Sequence, residues 1–141
     1  MVQACSALGN IAVNDNNLIL IVNEGGILIL LNIMKLHASN ETVMYPACCA
    51  LLNIAANKTN KMLIGKEGGI PILLNVMKLL ASNEKVMDLA CGALGNIAAN
   101  ENNRMLIGNE GGIPILLNVK LLHASNTRIS HACDRILNML R

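Results

Sequence analysis

Glu67-Gly68-Gly69-Ile70-Pro71-Ile72-Leu73-Leu74-Asn75 is repeated as Glu110-Gly111-Gly112-Ile113-Pro114-Ile115-Leu116-Leu117-Asn118, and Glu24-Gly25-Gly26-Ile27 stands the same distance upstream. The offset is 43 residues both times. A Gly-Gly pair supplies backbone freedom for a sharp corner, and a proline two residues later suits the first turn of a helix, where its missing N–H is least costly. The repeated stretch therefore reads as a corner that launches a helix.

Working outward at the same offset, Ala7-Leu8-Gly9-Asn10 maps onto Ala50-Leu51-Leu52-Asn53 and Ala93-Leu94-Gly95-Asn96. It then maps, one residue short, onto Arg135-Ile136-Leu137-Asn138, the missing residue falling between Thr127 and His131. Asn53 to Asn83 aligned with Asn96 to Asn126 gives 24 identities in 31 positions, so duplication, natural or imposed by a consensus, is implied. Self-similarity at this period is the mark of a helical solenoid.

Each period reads as three helices. The second unit places them at about Thr59 to Gly65, Ile70 to Leu80 and Glu84 to Ala99, and the third at about Asn102 to Gly108, Ile113 to His123 and Thr127 to Leu140. The second helix of each unit is apolar nearly all round: only Asn75 and Lys78 interrupt Ile70 to Leu80, so it needs neighbours on several sides. Val86, Leu89, Ala90, Ala93, Leu94 and Ile97 give the third helix one broad apolar face. Ala-Ser-Asn before it offers a capping side chain.

A three-helix repeat of this length, with Gly-Gly-Ile-Pro before its second helix and Ala-Leu-Gly-Asn-Ile-Ala in its third, resembles the armadillo family over essentially the whole chain. The resemblance implies an all-α fold, a right-handed α-solenoid of armadillo-type three-helix repeats. The repeats are residues 14–57, 58–100 and 101–141, preceded by a partial repeat, 1–13, that is a third helix only. It also implies a protein-protein interaction module whose third helices line a concave groove, with an Asn on each that binds the backbone of an extended peptide. By motif position these are Asn10, Asn53, Asn96 and Asn138. An Asn amide carries both donor and acceptor, which suits a grip on main chain of any sequence. Helical spacing extends the stripe to Asn14, Asn57 and Asn100 on one side, and to Tyr45, Asp88 and Asp134 on the other. The same Asn residues could instead bond to a neighbouring repeat and hold the stack in register, leaving a self-associating structural solenoid, fragment or engineered, without a ligand of its own.

Composition narrows the field further. The chain is 53% hydrophobic, with Tyr45 its one aromatic residue and no Trp, so base stacking is not expected, nor is the Trp-lined lysine binding of nuclear-import receptors. Eleven basic and nine acidic residues are scattered, giving a net charge of +2 and no block that addresses nucleic acid. The most apolar stretch, Leu18 to Leu36, is broken by Asn23, Glu24, Gly25, Gly26 and Asn32, which argues against membrane insertion. Cys5, Cys48, Cys91 and Cys133 share a repeat position on the apolar face and read as buried thiols in a reducing cytoplasmic or nuclear setting. No clustered ligand set points to a metal or cofactor, and no nucleophile-base pairing to an enzyme. His37 and His123 are expected as partly exposed rings favouring helix C-termini. Both edges of the stack are expected to be apolar and to invite homo-oligomers paired end to end.

Overall fold

The computed structural model describes residues 2–12 and 25–141. Among them α1 (Val2–Ala12) is followed by α2 (Gly26–Leu36), α3 (Glu41–Ile54), α4 (Lys58–Lys66), α5 (Gly69–Leu79), α6 (Glu84–Ile97), α7 (Glu101–Asn109), α8 (Gly112–Leu122) and α9 (Thr127–Met139). The order short, long, long repeats as α4-α5-α6 and α7-α8-α9, with α2-α3 forming the described part of the unit before them. The long final helices α1, α3, α6 and α9 pack side by side in sequence order, so the chain is a solenoid.

The corners follow from local chemistry. Gly25, Gly68 and Gly111 have φ between 75° and 80°, the left-handed region that a side chain would strain, and each sits immediately before a second helix. The next glycine is needed for space: a Cβ at Gly69 would lie 2.5 Å from Ile64 Cγ2, and one at Gly112 2.5 Å from Ile107 Cγ2. Asn40, Asn83 and Asn126 cap the third helices, their side-chain oxygens accepting from Val43, Val86 and Ile129 N–H at 2.9 to 3.2 Å.

The second helices form the spine of the core. Ile70, Leu73, Val76 and Met77 of α5 are fully buried, as are Leu30 and Met34 of α2. The third helices add Met44, Leu51 and Ile54 of α3 and Met87, Leu94 and Ile97 of α6. Cys48 and Cys91 lie in this core, and Cys91 Sγ stands 3.9 Å from Cys133 Sγ. The hydrogen bond with Cys133 and burial together hold the Cys91 thiol in its neutral form. Burial pushes the Cys48 thiol up to about 12 from its ordinary 9.0.

The last repeat departs from its predecessors in two linked ways. Counting from the capping Asn, α9 is one residue shorter than α3 and α6, yet Ile129, Cys133 and Ile136 are buried where Val86, Ala90 and Ala93 are. The helix keeps the phase set by its cap, so the missing residue rotates everything after it by about 100° relative to the sequence alignment. Ser130 and Asp134 consequently stand where Met87 and Cys91 stand in α6, and Lys120 stands where α5 has Met77. Lys120 Nζ and Asp134 Oδ1 pair at 2.6 Å across that edge. The expectation of an apolar far edge is thus corrected in part. Ile113 and Leu117 are 42% and 53% exposed against 0% and 2% for Ile70 and Leu74, but polar side chains now interrupt the face.

Two glycines make a matched test of how closely repeats approach. A Cβ on Gly65 would collide with the amide oxygen of Asn103 in the next repeat, whereas Gly108, at the same position one repeat on, has open space. Gly65→Ala is expected to destabilise the chain by about 1–3 kcal/mol in urea titrations. Gly108→Ala is expected to leave it unchanged or stabilise it by up to about 1 kcal/mol through helix propensity.

The buried thiols predict a pH response. A group whose folded pKa is raised stays protonated in the native state while the unfolded chain ionises. Stability is therefore complete below pH 9 and falls as the pH climbs from 9.0 towards 12. Melting at pH 8 and pH 10.5 should show a fall of roughly 1.4 kcal/mol per pH unit from this one thiol, and Cys48→Ala should flatten it.

Candidate functional site

The third helices end with carbonyls that their own backbone cannot bond, and the way these are satisfied builds the candidate site. At the end of α3, Leu51 C=O accepts from Ala55 N–H at 2.8 Å and Asn53 C=O from Ala56 N–H at 3.3 Å. Ile54 C=O accepts from the buried Asn60 amide at 3.0 Å. The remaining acceptor, Leu52 C=O, takes a bond from Asn96 Nδ2 on the next third helix, at 3.3 Å. In α6 the pattern recurs, with Asn103 Nδ2 donating to Ile97 C=O at 3.0 Å and also to Lys61 C=O at 2.9 Å in the repeat before.

Asn96 therefore spends one amide N–H on the stack and keeps the other, with its side-chain oxygen, on the surface between α6 and α9. That surface is a hollow of about 860 Å³ whose walls include Leu52, Asp88, Gly92, His131, Arg135 and Asn138. A second hollow of about 570 Å³ lies between α1 and α3, walled by Val2, Ser6, Asn10, Tyr45, Pro46 and Cys49. Asn10 and Tyr45 thus line one hollow of the third-helix layer, and Asp88 and Asn96 line the other. Asn53 holds the matching position on α3 and is half-buried.

Four sequence expectations need correction. Asn57 and Asn100 are not groove residues: the third helices stop at Ile54 and Ile97, and both Asn side chains cap the next short helix, accepting from Asn60 and Asn103 N–H at 3.1 and 3.0 Å. Asn14 lies outside the described residues. Asn138 lines the groove but is not the fourth rung. It follows its cap by twelve residues where Asn53 and Asn96 follow theirs by thirteen, and Met139, which has no amide, holds the rung position. Asp134 reaches the groove rim, but its carboxylate is taken by Lys120. His123 is buried, not half-exposed; its Nε2 lies 2.7 Å from Ala81 C=O of the preceding repeat, and since a carbonyl can only accept, the ring donates.

Sequence reasoning missed Asn60 and Asn103, and the signal was available: a polar residue at an invariant place in two short helices of low apolar content. Repetition of Asn in a buried register is the mark of a side chain that serves backbone. It also missed the ladder in which the capping Asn83 and Asn126 donate to Glu41 and Glu84, each in the preceding repeat, at 2.7 and 2.6 Å. Among the described residues no cluster of three His, Cys, Asp or Glu side chains could hold a metal ion, and no helix is long and apolar enough to cross a membrane.

The model of the Armadillo/beta-catenin-like repeat family matches residues 57–99, the unit whose three helices and Asn stitching have just been described. Residues 57–99 are similar to an armadillo repeat, and the fold around them is an armadillo-type solenoid. Solved structures share this fold. A designed armadillo repeat protein, YIII(Dq)4CqI, is 27% identical, with a TM-score of 0.84 over 99% of this chain and 58% of its own. Two engineered proteins solved by a structural genomics consortium are 31% and 30% identical, with TM-scores of 0.81 and 0.82 over 99% of this chain. This chain spans 55% and 33% of their lengths, so it covers about half or less of those relatives. No curated protein sequence matches it. The shared fold makes the chain a repeat scaffold.

The double use of Asn103 predicts a large effect from a small change. Asn103→Ala leaves Lys61 C=O and Ile97 C=O without the amide. Chemical denaturation should report a loss of about 2–4 kcal/mol, while Asn100→Ala, which removes only a cap, should lose about 1 kcal/mol.

Proposed function

We propose that the chain binds extended protein segments along the face formed by α1, α3, α6 and α9, acting by recognition and without catalysis. The observation that carries this reading is the half-used amide of Asn96. Its bond to Leu52 C=O fixes the side chain in place, and its remaining N–H and oxygen are left to the hollow between α6 and α9. A fixed donor-acceptor pair of this kind suits main chain, whose N–H and C=O recur whatever the side chains, and rigidity lowers the ordering cost of binding.

A second reading rests on the same bond: Asn96 serves the stack alone. The two are separated by measuring peptide affinity and melting on one variant. Asn96→Ala should weaken capture of peptides selected from a displayed random library by about tenfold or more, with a stability loss near 1 kcal/mol, the worth of one hydrogen bond. Unchanged affinity with a loss above roughly 3 kcal/mol would assign Asn96 to the stack and remove the support for a peptide groove.

A further inference from the structure

Charge is distributed unevenly along the groove. Lys85, Arg128 and Arg135 line it, against the carboxylates of Asp88 and Glu84, so cations are in excess by one. Asp134 is neutralised by Lys120 at 2.6 Å, whereas Glu84, which accepts from the uncharged Asn126 amide at 2.6 Å, keeps its charge. Asp88 itself meets Arg128 at 3.4 Å, with the guanidinium 82% exposed, so that pair is a weak surface contact open to exchange. Arg135 has no carboxylate partner among the described residues. Its guanidinium lies over Gly95, where any Cβ would collide with it, and a side chain folded onto a neighbouring helix in this way is partly positioned before a ligand arrives.

The other end of the groove has a different character. The hollow between α1 and α3 is mostly apolar, with Val2, Tyr45, Pro46 and Cys49 in its walls, Lys85 the one charged residue lining it, and Tyr45 48% exposed. Pro46 inside α3 also withdraws one N–H from the helix, so the Thr42 carbonyl on the same wall has lost its usual donor four residues on. An exposed aromatic ring beside an apolar hollow is the usual seat of a binding anchor.

Resting on the peptide-groove reading, we infer that the partner is an acidic extended segment: a bulky apolar side chain fills the hollow beside Tyr45, and a carboxylate further along meets Arg135 and Arg128. Neighbouring helices stand about 8–10 Å apart, so the midlines of the two hollows are roughly 16–20 Å apart. An extended chain advances about 3.3–3.6 Å per residue, which sets the apolar and acidic residues about five or six positions apart. Guanidinium and carboxylate can then pair in a bidentate manner, replacing the Asp88 contact with a better one.

The test uses two fluorescein-labelled twelve-residue peptides, each with one Leu near one end and, five and six positions on, either two Glu or two Lys, in a Gly/Ser/Thr background. Fluorescence anisotropy against the full chain should show the Glu peptide at least about tenfold tighter, with an affinity that falls as salt rises. Arg135→Gln should erase most of that preference without changing the melting temperature, and Tyr45→Ala should weaken both peptides alike. Equal or tighter binding of the Lys peptide, lost in Asn96→Ala, would overturn the acidic partner and leave the groove reading standing. Binding of neither peptide, with no binder recovered from a random displayed library, would overturn both.

Discussion

The third helices α3 and α6 end in acceptors that lack intrahelical donors, and much of the surrounding architecture answers that constraint. The short helix that follows turns back beneath the end, so that Asn60 or Asn103 can reach Ile54 or Ile97 C=O. The next third helix comes close enough for Asn96 to reach Leu52 C=O. These approaches demand glycine at Gly65 and small residues such as Ala47, Ala50, Ala90 and Ala93 along the packed faces, where the buried methyls fill the space between helices. Hydrophobic burial supplies most of the driving force, but it is indifferent to register; the directional bonds select which of the close-packed arrangements is adopted.

The fold was legible because its determinants are local and repeated. The positive-φ glycines, the proline in the first turn of the second helix, the Asn caps and the all-round apolar second helix each speak within a few residues, and the 43-residue offset repeats the statement. The groove was only partly legible. Periodicity placed Asn96 and Asp88 on one face correctly, because they lie within a single helix. It failed at Asn57 and Asn100, because a stripe extrapolated past the end of a helix ignores that the chain has turned. It failed at Asn138 because an alignment preserves residue names across a deletion, while a helix preserves the angle set by its cap.

The deletion in α9 also shows how one missing residue changes two surfaces at once. On the groove side it brings Arg135 to the position held by Gly92 and Cys49 in earlier repeats. On the far side it turns Ser130 and Asp134 outward, where Asp134 finds Lys120. Both effects come from a single rotation of one helix, so the charge of the groove and the polarity of the last edge are coupled and cannot be altered independently by shifting register.

The stitching between repeats has a sense of direction. Asn83 to Glu41, Asn96 to Leu52, Asn103 to Lys61, His123 to Ala81 and Asn126 to Glu84 all run from a donor in the later repeat to an acceptor in the earlier one. A carbonyl or carboxylate waiting at an open edge is readily served by water, whereas an amide or imidazole N–H buried without its acceptor is not. At these positions the edge that a repeat offers to its successor is therefore the acceptor kind, which water can serve. Each later unit brings the protons that its predecessor lacks.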